Sequence, residues 1–286
     1  YPGIACDVPS HLYSYSFARN PEWKRRYSPG SQIREYLEDC TRRFGVQDAV
    51  RTGVDVTDAV WDEGRAVWRL TTSEGEHEAR VLVTACGQLS EPNIPAVTGI
   101  ERFAGPVFHS ARWREDLDLR GLRVAVVGTG ASAIQFVPAI APLVRRLHVF
   151  QRSAPWIMPK NDRAYAPWEN RLFERLPARQ LAGRLANWAF FEAAVPGFVD
   201  HQWILRPIAA INAALRCRQV ADPALRERLR PTDEVGCKRL LVSNDWYPTF
   251  TRPNVELVTD DFKPMVAATE AVIEHLEGYK GGKAAW

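Results

Sequence analysis

The chain has 286 residues, long enough for two modest domains, of which 46% are apolar and 25% charged, a balance that suits a soluble globular protein and excludes disordered and fibrous classes. Its formal charge of +3 is mild and its arginines are scattered, so nothing points to nucleic-acid binding. The five cysteines form no Cys-x-x-Cys pair, which argues against a metal site or a disulfide framework and suits a reducing, cytoplasmic setting. No stretch spans a membrane's thickness without charge, since even Leu181 to Val199 carries Arg184 and Glu192.

The opening, Tyr1-Pro-Gly-Ile-Ala-Cys6-Asp7, is turn-rich and leads into an aromatic run through Tyr13, Tyr15 and Phe17. Ile33, Tyr36, Leu37, Cys40 and Phe44 then recur at helical spacing, and Gly45 stops the pattern, so Ser31 to Phe44 reads as an amphipathic helix. From Val46 the pattern alternates. Turn signals at Asp62-Glu-Gly64 and Ser73-Glu-Gly75 divide it into an antiparallel meander feeding one buried strand, Val81 to Ala85. Pro92 and Pro95 mark a linker, which carries Phe103, Gly105, His109 and Trp113.

The most informative stretch follows. Val124-Ala-Val-Val is an apolar run fit for a buried parallel strand, and it passes into Gly128-Thr129-Gly130-Ala131-Ser132-Ala133 and then into an apolar-periodic helix that includes Gln135. Gly128 permits a sharp turn, Gly130 lets a pyrophosphate approach the backbone, and Ala133 lets helix pack close to strand. Unpaired amides at the helix N-terminus would hold the phosphates. A second strand, Arg146 to Phe150, comes at the right distance, and its end should carry the residue that reads the ribose. There the chain has Gln151-Arg152-Ser153 and no carboxylate. A guanidinium and a hydroxyl suit a 2′-phosphate, so these residues point to NADPH rather than NADH.

Beyond Ser153 a mainly helical stretch rich in Trp and Pro runs to about Leu229 and reads as an insertion. Apolar Leu240-Leu-Val and Trp246-Tyr-Pro follow, and Asn254 to Val258 reads as a last short strand. The tail from Phe262 reads as one possible helix.

Phe103-x-Gly105-x-x-x-His109-x-x-x-Trp113 resembles the fingerprint of type I Baeyer–Villiger monooxygenases, within the class B flavin-containing monooxygenases. Three further segments are similar to the same family in the same order: Tyr1-Pro-Gly-x-x-Cys6-Asp7 with Tyr13, Thr84-Ala-Cys-Gly87-Gln-Leu-Ser, and Gly236-Cys-Lys238-Arg239 with Asp245-Trp-Tyr247. The resemblance implies an α/β protein with two dinucleotide-binding, Rossmann-like domains. A partial FAD domain would cover residues 1–100, a linker 101–118 and an NADP domain 119–258 with its helical insertion at about 155–230, leaving 259–286 as a tail. It implies FAD contacts from Cys6, Asp7, Tyr13 and Val56, and it adds Lys238 to Arg152 and Ser153 at the 2′-phosphate. Arg239 would be the cation beside the flavin and Asp7 its carboxylate partner. The implied reaction uses NADPH and O₂ to insert oxygen into a ketone through a peroxyflavin. His109 is expected to couple domains and Trp113 to pack. Arg114 follows Trp113 where the family usually has Pro or Asp, which keeps open an enzyme that oxidises N or S. The family's FAD domain begins with its own Gly-x-Gly-x-x-Gly and closes with a returning strand; neither is found here, so the chain reads as a fragment, and a non-catalytic NADPH-binding module is a third reading.

Overall fold

The computed structural model describes residues 1–87, 89–94, 100, 103–259 and 282–285. Its contacts form two compact units, one of Tyr1–Ile33 with Asn93–Trp286 and one of Arg34–Pro92. The first helix, α1 (Gly30–Arg43), buries Tyr36 and Cys40 of the expected apolar face and leaves Leu37 exposed. In the second unit β1 (Val56–Asp62), β2 (Val67–Thr72) and β3 (Gly75–Ala79) make the expected antiparallel meander, with Trp61 opposite Trp68 across the first pair.

The buried strand expected at Val81 to Ala85 does not form. These residues are irregular, and Val81 and Val83 are 75% and 79% exposed. The reason is physical: an apolar run becomes a strand only where a neighbouring edge takes up its backbone N–H and C=O groups, and no described strand pairs with this one. The linker also differs from its expectation, because Val107–Phe108 form β4 at the edge of the main sheet.

That sheet is the framework of the first unit. β5 (Arg123–Val127) has Val124, Ala125 and Val126 buried, as a strand covered on both faces requires. It passes through the glycine turn into α2 (Ala133–Ile140), which returns the chain to β6 (Arg146–Phe150), parallel to β5 in the register Val124 to Leu147. Ile134, Phe136, Val137 and Ile140 of α2 join Val124, Val126, Leu147 and Val149 in one core.

After the two-residue β7 (Ile157–Met158), the chain from 167 to 228 is helical: α3 (Pro167–Arg175), α4 (Pro177–Glu192), α5 (Val195–Val199), α6 (Arg206–Gln219) and α7 (Pro223–Arg228). Leu215 of α6 reaches the sheet's core, and buried Asn212 donates to Ile157 O at 2.9 Å and to the Tyr247 hydroxyl at 2.8 Å. β8 (Leu241–Val242) pairs parallel with β7, α8 (Trp246–Thr249) adds its buried Trp246 and Tyr247 to the core, and β9 (Val255–Val258) pairs with β6.

β9 is not the last strand. Residues 282–285 form β10, parallel to β4 on one side and to β5 on the other, so the sheet order is β4-β10-β5-β6-β9. The helix expected in the tail, Pro95 of the linker and Gln88 of the third motif lie outside the described residues.

Residues 1–33 belong with the main sheet and not with the meander, unlike the division at residue 100 suggested by the sequence. Hydrogen bonds explain this: Arg26 N donates to Arg163 O at 2.9 Å, Tyr165 N to Lys24 O at 2.9 Å, and Arg25 bridges Ala164. The Ser10 hydroxyl donates to Arg25 O at 2.8 Å, and the 0% exposed Trp23 donates its indole N–H to the Ser14 hydroxyl at 3.1 Å.

Candidate functional site

The site is built where β5 ends. Gly128 adopts φ +106°, a left-handed conformation that a side chain would strain, and its N–H donates to Phe150 O at 2.9 Å, locking the turn to the end of β6. The Thr129 hydroxyl donates to Ser153 O at 3.0 Å, a second tie between the two strand ends. At Gly130 a Cβ would meet nothing within 4 Å, so the space beside its backbone is open to a ligand. Ala133 is buried at the start of α2, where its small side chain permits close packing.

A cavity of about 410 Å³ lies over this turn, within the range of roughly 300–1,000 Å³ usual for small-molecule sites. Its walls combine the glycine turn with Arg152 and Ser153 from the end of β6 and with Lys238 and Arg239 from the loop before β8. The Lys238 ammonium donates to the Ser153 hydroxyl at 2.5 Å and pairs with Asp233. Arg239 pairs with Asp7, 232 residues away in sequence, and the Tyr13 hydroxyl donates to the other oxygen of Asp7 at 3.2 Å. Partial burial, with the charge of Asp7 next, pushes the Tyr13 phenol up to about 12, so it stays a donor.

The loop carrying Lys238 and Arg239 is set by Gly236, at φ +101°, where a Cβ would stand 2.7 Å from Phe198 Cδ1. The sequence reading quoted Gly236 only as part of a motif. Asp233 opens the same turn in the sequence, but nothing in its spacing from Lys238 distinguishes their pair from an ordinary surface one.

Gln135 stands apart from this cavity: its Oε1 accepts from Ala5 N at 2.9 Å. Cys6 is buried, its Sγ 3.7 Å from the Ser10 hydroxyl, and burial pushes the thiol up. Val56 opens β1 in the second unit and is exposed there. Ser132 precedes α2 without a side-chain cap. Phe103 packs near Ala125 and Phe150, and Gly105 is half-buried before β4. Trp113 packs edge-on against Phe108 and tilted against Phe136. His109 Nδ1 accepts from Ala111 N at 3.0 Å and so caps a short 3-10 turn.

A larger cavity, about 520 Å³, lies along the far end of α2 between Gln135, Lys160 and Asn244. Of the expected site residues it touches only Gln135. The larger cavity has cations too, Arg25, Lys160 and Arg252, but it is the smaller one that lies on the phosphate-type turn, and chemistry rather than size identifies a site. Among the described residues no group of three or more His, Cys, Asp or Glu could hold a metal, and no helix is long and apolar enough to cross a membrane.

A strand, a glycine turn and a helix, with cations at the end of the next strand, define an α/β dinucleotide-binding architecture. The chain belongs to the flavin-binding monooxygenase-like family, whose model matches residues 4–212. It is 44% identical over 269 residues to a Baeyer–Villiger monooxygenase of Streptomyces coelicolor, covering 94% of this chain and 52% of that protein. A Baeyer–Villiger monooxygenase of Pseudomonas aeruginosa is 41% identical over 268 residues, covering 93% and 51%. The chain therefore spans about half the length of these relatives. Among solved structures, a steroid monooxygenase bound to NADP superposes with a TM-score of 0.78 at 34% identity, covering 91% of this chain and 57% of that one. Cyclohexanone monooxygenase from Rhodococcus sp. Phi1 bound to NADP+ gives 0.78 at 27% identity, covering 91% and 56%.

Proposed function

We propose that this chain forms the NADPH-binding half, and part of the flavin half, of an FAD-dependent monooxygenase that uses NADPH and O₂ to convert a ketone into an ester or lactone. The observation that carries the reading is the Arg239–Asp7 pair beside the nucleotide cavity, made by two motifs at opposite ends of the sequence. The relatives named Baeyer–Villiger monooxygenase support the ketone class.

The residues present fit a dinucleotide: the open face of Gly130 suits a pyrophosphate, and Arg152, Ser153 and Lys238 suit a 2′-phosphate. The helices from 167 to 228 would then be an insertion in the NADP domain, and Cys6, Asp7, Tyr13 and Val56 would belong to the flavin side. A bound flavin would accept hydride from NADPH and bring O₂ to the substrate. The chain's own task is electrostatic. The Arg239 guanidinium would stabilise negative charge growing on oxygen, while Asp7 fixes its position and Tyr13 orients Asp7.

Anaerobic mixing of the flavin-loaded protein with NADPH tests this reading. Bleaching of the flavin by NADPH in preference to NADH is expected; equal rates would defeat the cofactor assignment. A second reading, a nucleotide-binding module without catalysis, is favoured by one feature: the segment 81–85 is not built into any described sheet. Purified chain that is yellow with bound FAD would contradict it, and colourless chain that binds NADPH would support it.

A further inference from the structure

Lys238 and Arg239 are neighbours in one loop, and each carries its own carboxylate, Asp233 on Lys238 and Asp7 on Arg239. The second has a place in the proposed chemistry. The first has none so far. We propose that Asp233 is a positioning residue for nucleotide selection, holding the Lys238 ammonium against Ser153 so that it presents one remaining N–H to a 2′-phosphate.

A lysine ammonium has three N–H groups; here one goes to the Ser153 hydroxyl and one to Asp233, which leaves the third for an oxyanion in the cavity. A lysine left alone is a point charge on a flexible four-carbon stem and must lose that freedom when a phosphate binds. Asp233 removes the freedom beforehand. Its own position is fixed, because its backbone carbonyl accepts from the indole N–H of buried Trp156 at 3.2 Å. The loop between the two residues is closed by Cys237 N donating to Glu234 O at 3.2 Å and turned by Gly236.

Asp233 also bears the same sign of charge as the phosphate, so holding and repulsion oppose each other, and two substitutions separate them. Asp233→Ala removes both the hold and the charge. Asp233→Asn keeps the shape and one acceptor oxygen, removes the charge and turns the other oxygen into an NH2 donor.

The inference rests on the reading of this cavity as the 2′-phosphate site, and the probes are chosen to test the two apart. Calorimetric titration of the 286-residue chain would compare 2′,5′-ADP with 5′-AMP. Asp233→Ala should weaken 2′,5′-ADP about three- to tenfold and leave 5′-AMP unchanged, and Asp233→Asn should bind 2′,5′-ADP as well as the unaltered chain or better. A purely structural defect would weaken both nucleotides together and would overturn the proposal. So would an Asp233→Ala variant that binds 2′,5′-ADP more tightly, which would make Asp233 only a competitor, or an Asp233→Asn variant as weak as Asp233→Ala. If the unaltered chain did not distinguish the two nucleotides, the 2′-phosphate site itself would be wrong, whatever the variants did.

Discussion

Arg152 and Arg239 stand in the wall of one cavity, yet the proposed chemistry asks different things of them. Arg152, at the end of β6, should contact the 2′-phosphate by a charge-assisted hydrogen bond. Arg152→Ala is expected to cost about 1.5 to 3 kcal/mol of NADPH binding, or about ten- to hundredfold in affinity, with NADH nearly unaffected; fluorescence titration of both nucleotides checks this. Arg239 should matter only once negative charge has built up on oxygen. Arg239→Ala should therefore leave flavin reduction by NADPH largely intact and slow oxygen insertion by about two to three orders of magnitude, with hydrogen peroxide released in place of product. Asp7→Ala should show a milder form, since it orients the guanidinium without touching the reacting atoms. Rapid-reaction absorbance with product and peroxide assays decides between the roles; a variant that lost flavin reduction alone would make Arg239 a nucleotide contact.

At the scale of elements, two glycines of the cavity's loops make opposite demands. Gly236 holds a left-handed turn against Phe198, so Gly236→Ala combines backbone strain with a clash and should lower stability by about 1 to 3 kcal/mol. Gly130 has open space around it, so Gly130→Ala should leave the melting temperature unchanged and weaken NADPH binding alone. Thermal melts with and without nucleotide separate the two. α4 docks by its polar side: Gln180 Nε2 lies 2.9 Å from His11 Nδ1, and Arg184 donates to the carbonyls of His11 and Ser14, while Leu185 and Trp188 face outward. Burial, with the Arg184 charge next, lowers His11 from 6.5 to about 4, which keeps the ring neutral. Because the folded value is the depressed one, this contribution is complete above about pH 6.5, is lost as pH falls towards 4, and changes no further below that. The loss should be on the order of 2 to 3 kcal/mol. Urea unfolding at pH 7 and pH 4.5 should show a smaller pH effect in His11→Asn than in the unaltered chain.

Across the whole molecule, what was legible in the sequence is what depends on local pattern. The β5–turn–α2–β6 unit could be read because apolar periodicity and glycine spacing act over a few residues, and so could the meander, whose turns are written as Asp62-Glu-Gly64 and Ser73-Glu-Gly75. The pairing of Asp7 with Arg239 came only through motif resemblance. Features set by distant partners escaped. The apolar run 81–85 pairs with no described strand, residues 282–285 enter the interior of a parallel sheet, and the first 33 residues bond to the stretch around Ala164. These placements lead to a test of the site as a whole. The glycine turn, Arg152, Ser153, Lys238 and Arg239 all belong to the first compact unit, and the meander belongs to the second. A ligand stabilises the folded form it binds by about 2.7 kcal/mol at a hundred times its dissociation constant, and slow amides of the bound region report that gain, whereas amides that open locally do not. With saturating NADPH, hydrogen exchange should slow in β5, the glycine turn, β6 and the loop 233–242, and should be unchanged in β1, β2 and β3. Protection that spared the glycine turn, or that appeared in the meander instead, would mean that the nucleotide binds elsewhere and that Arg152 and Lys238 serve another ligand.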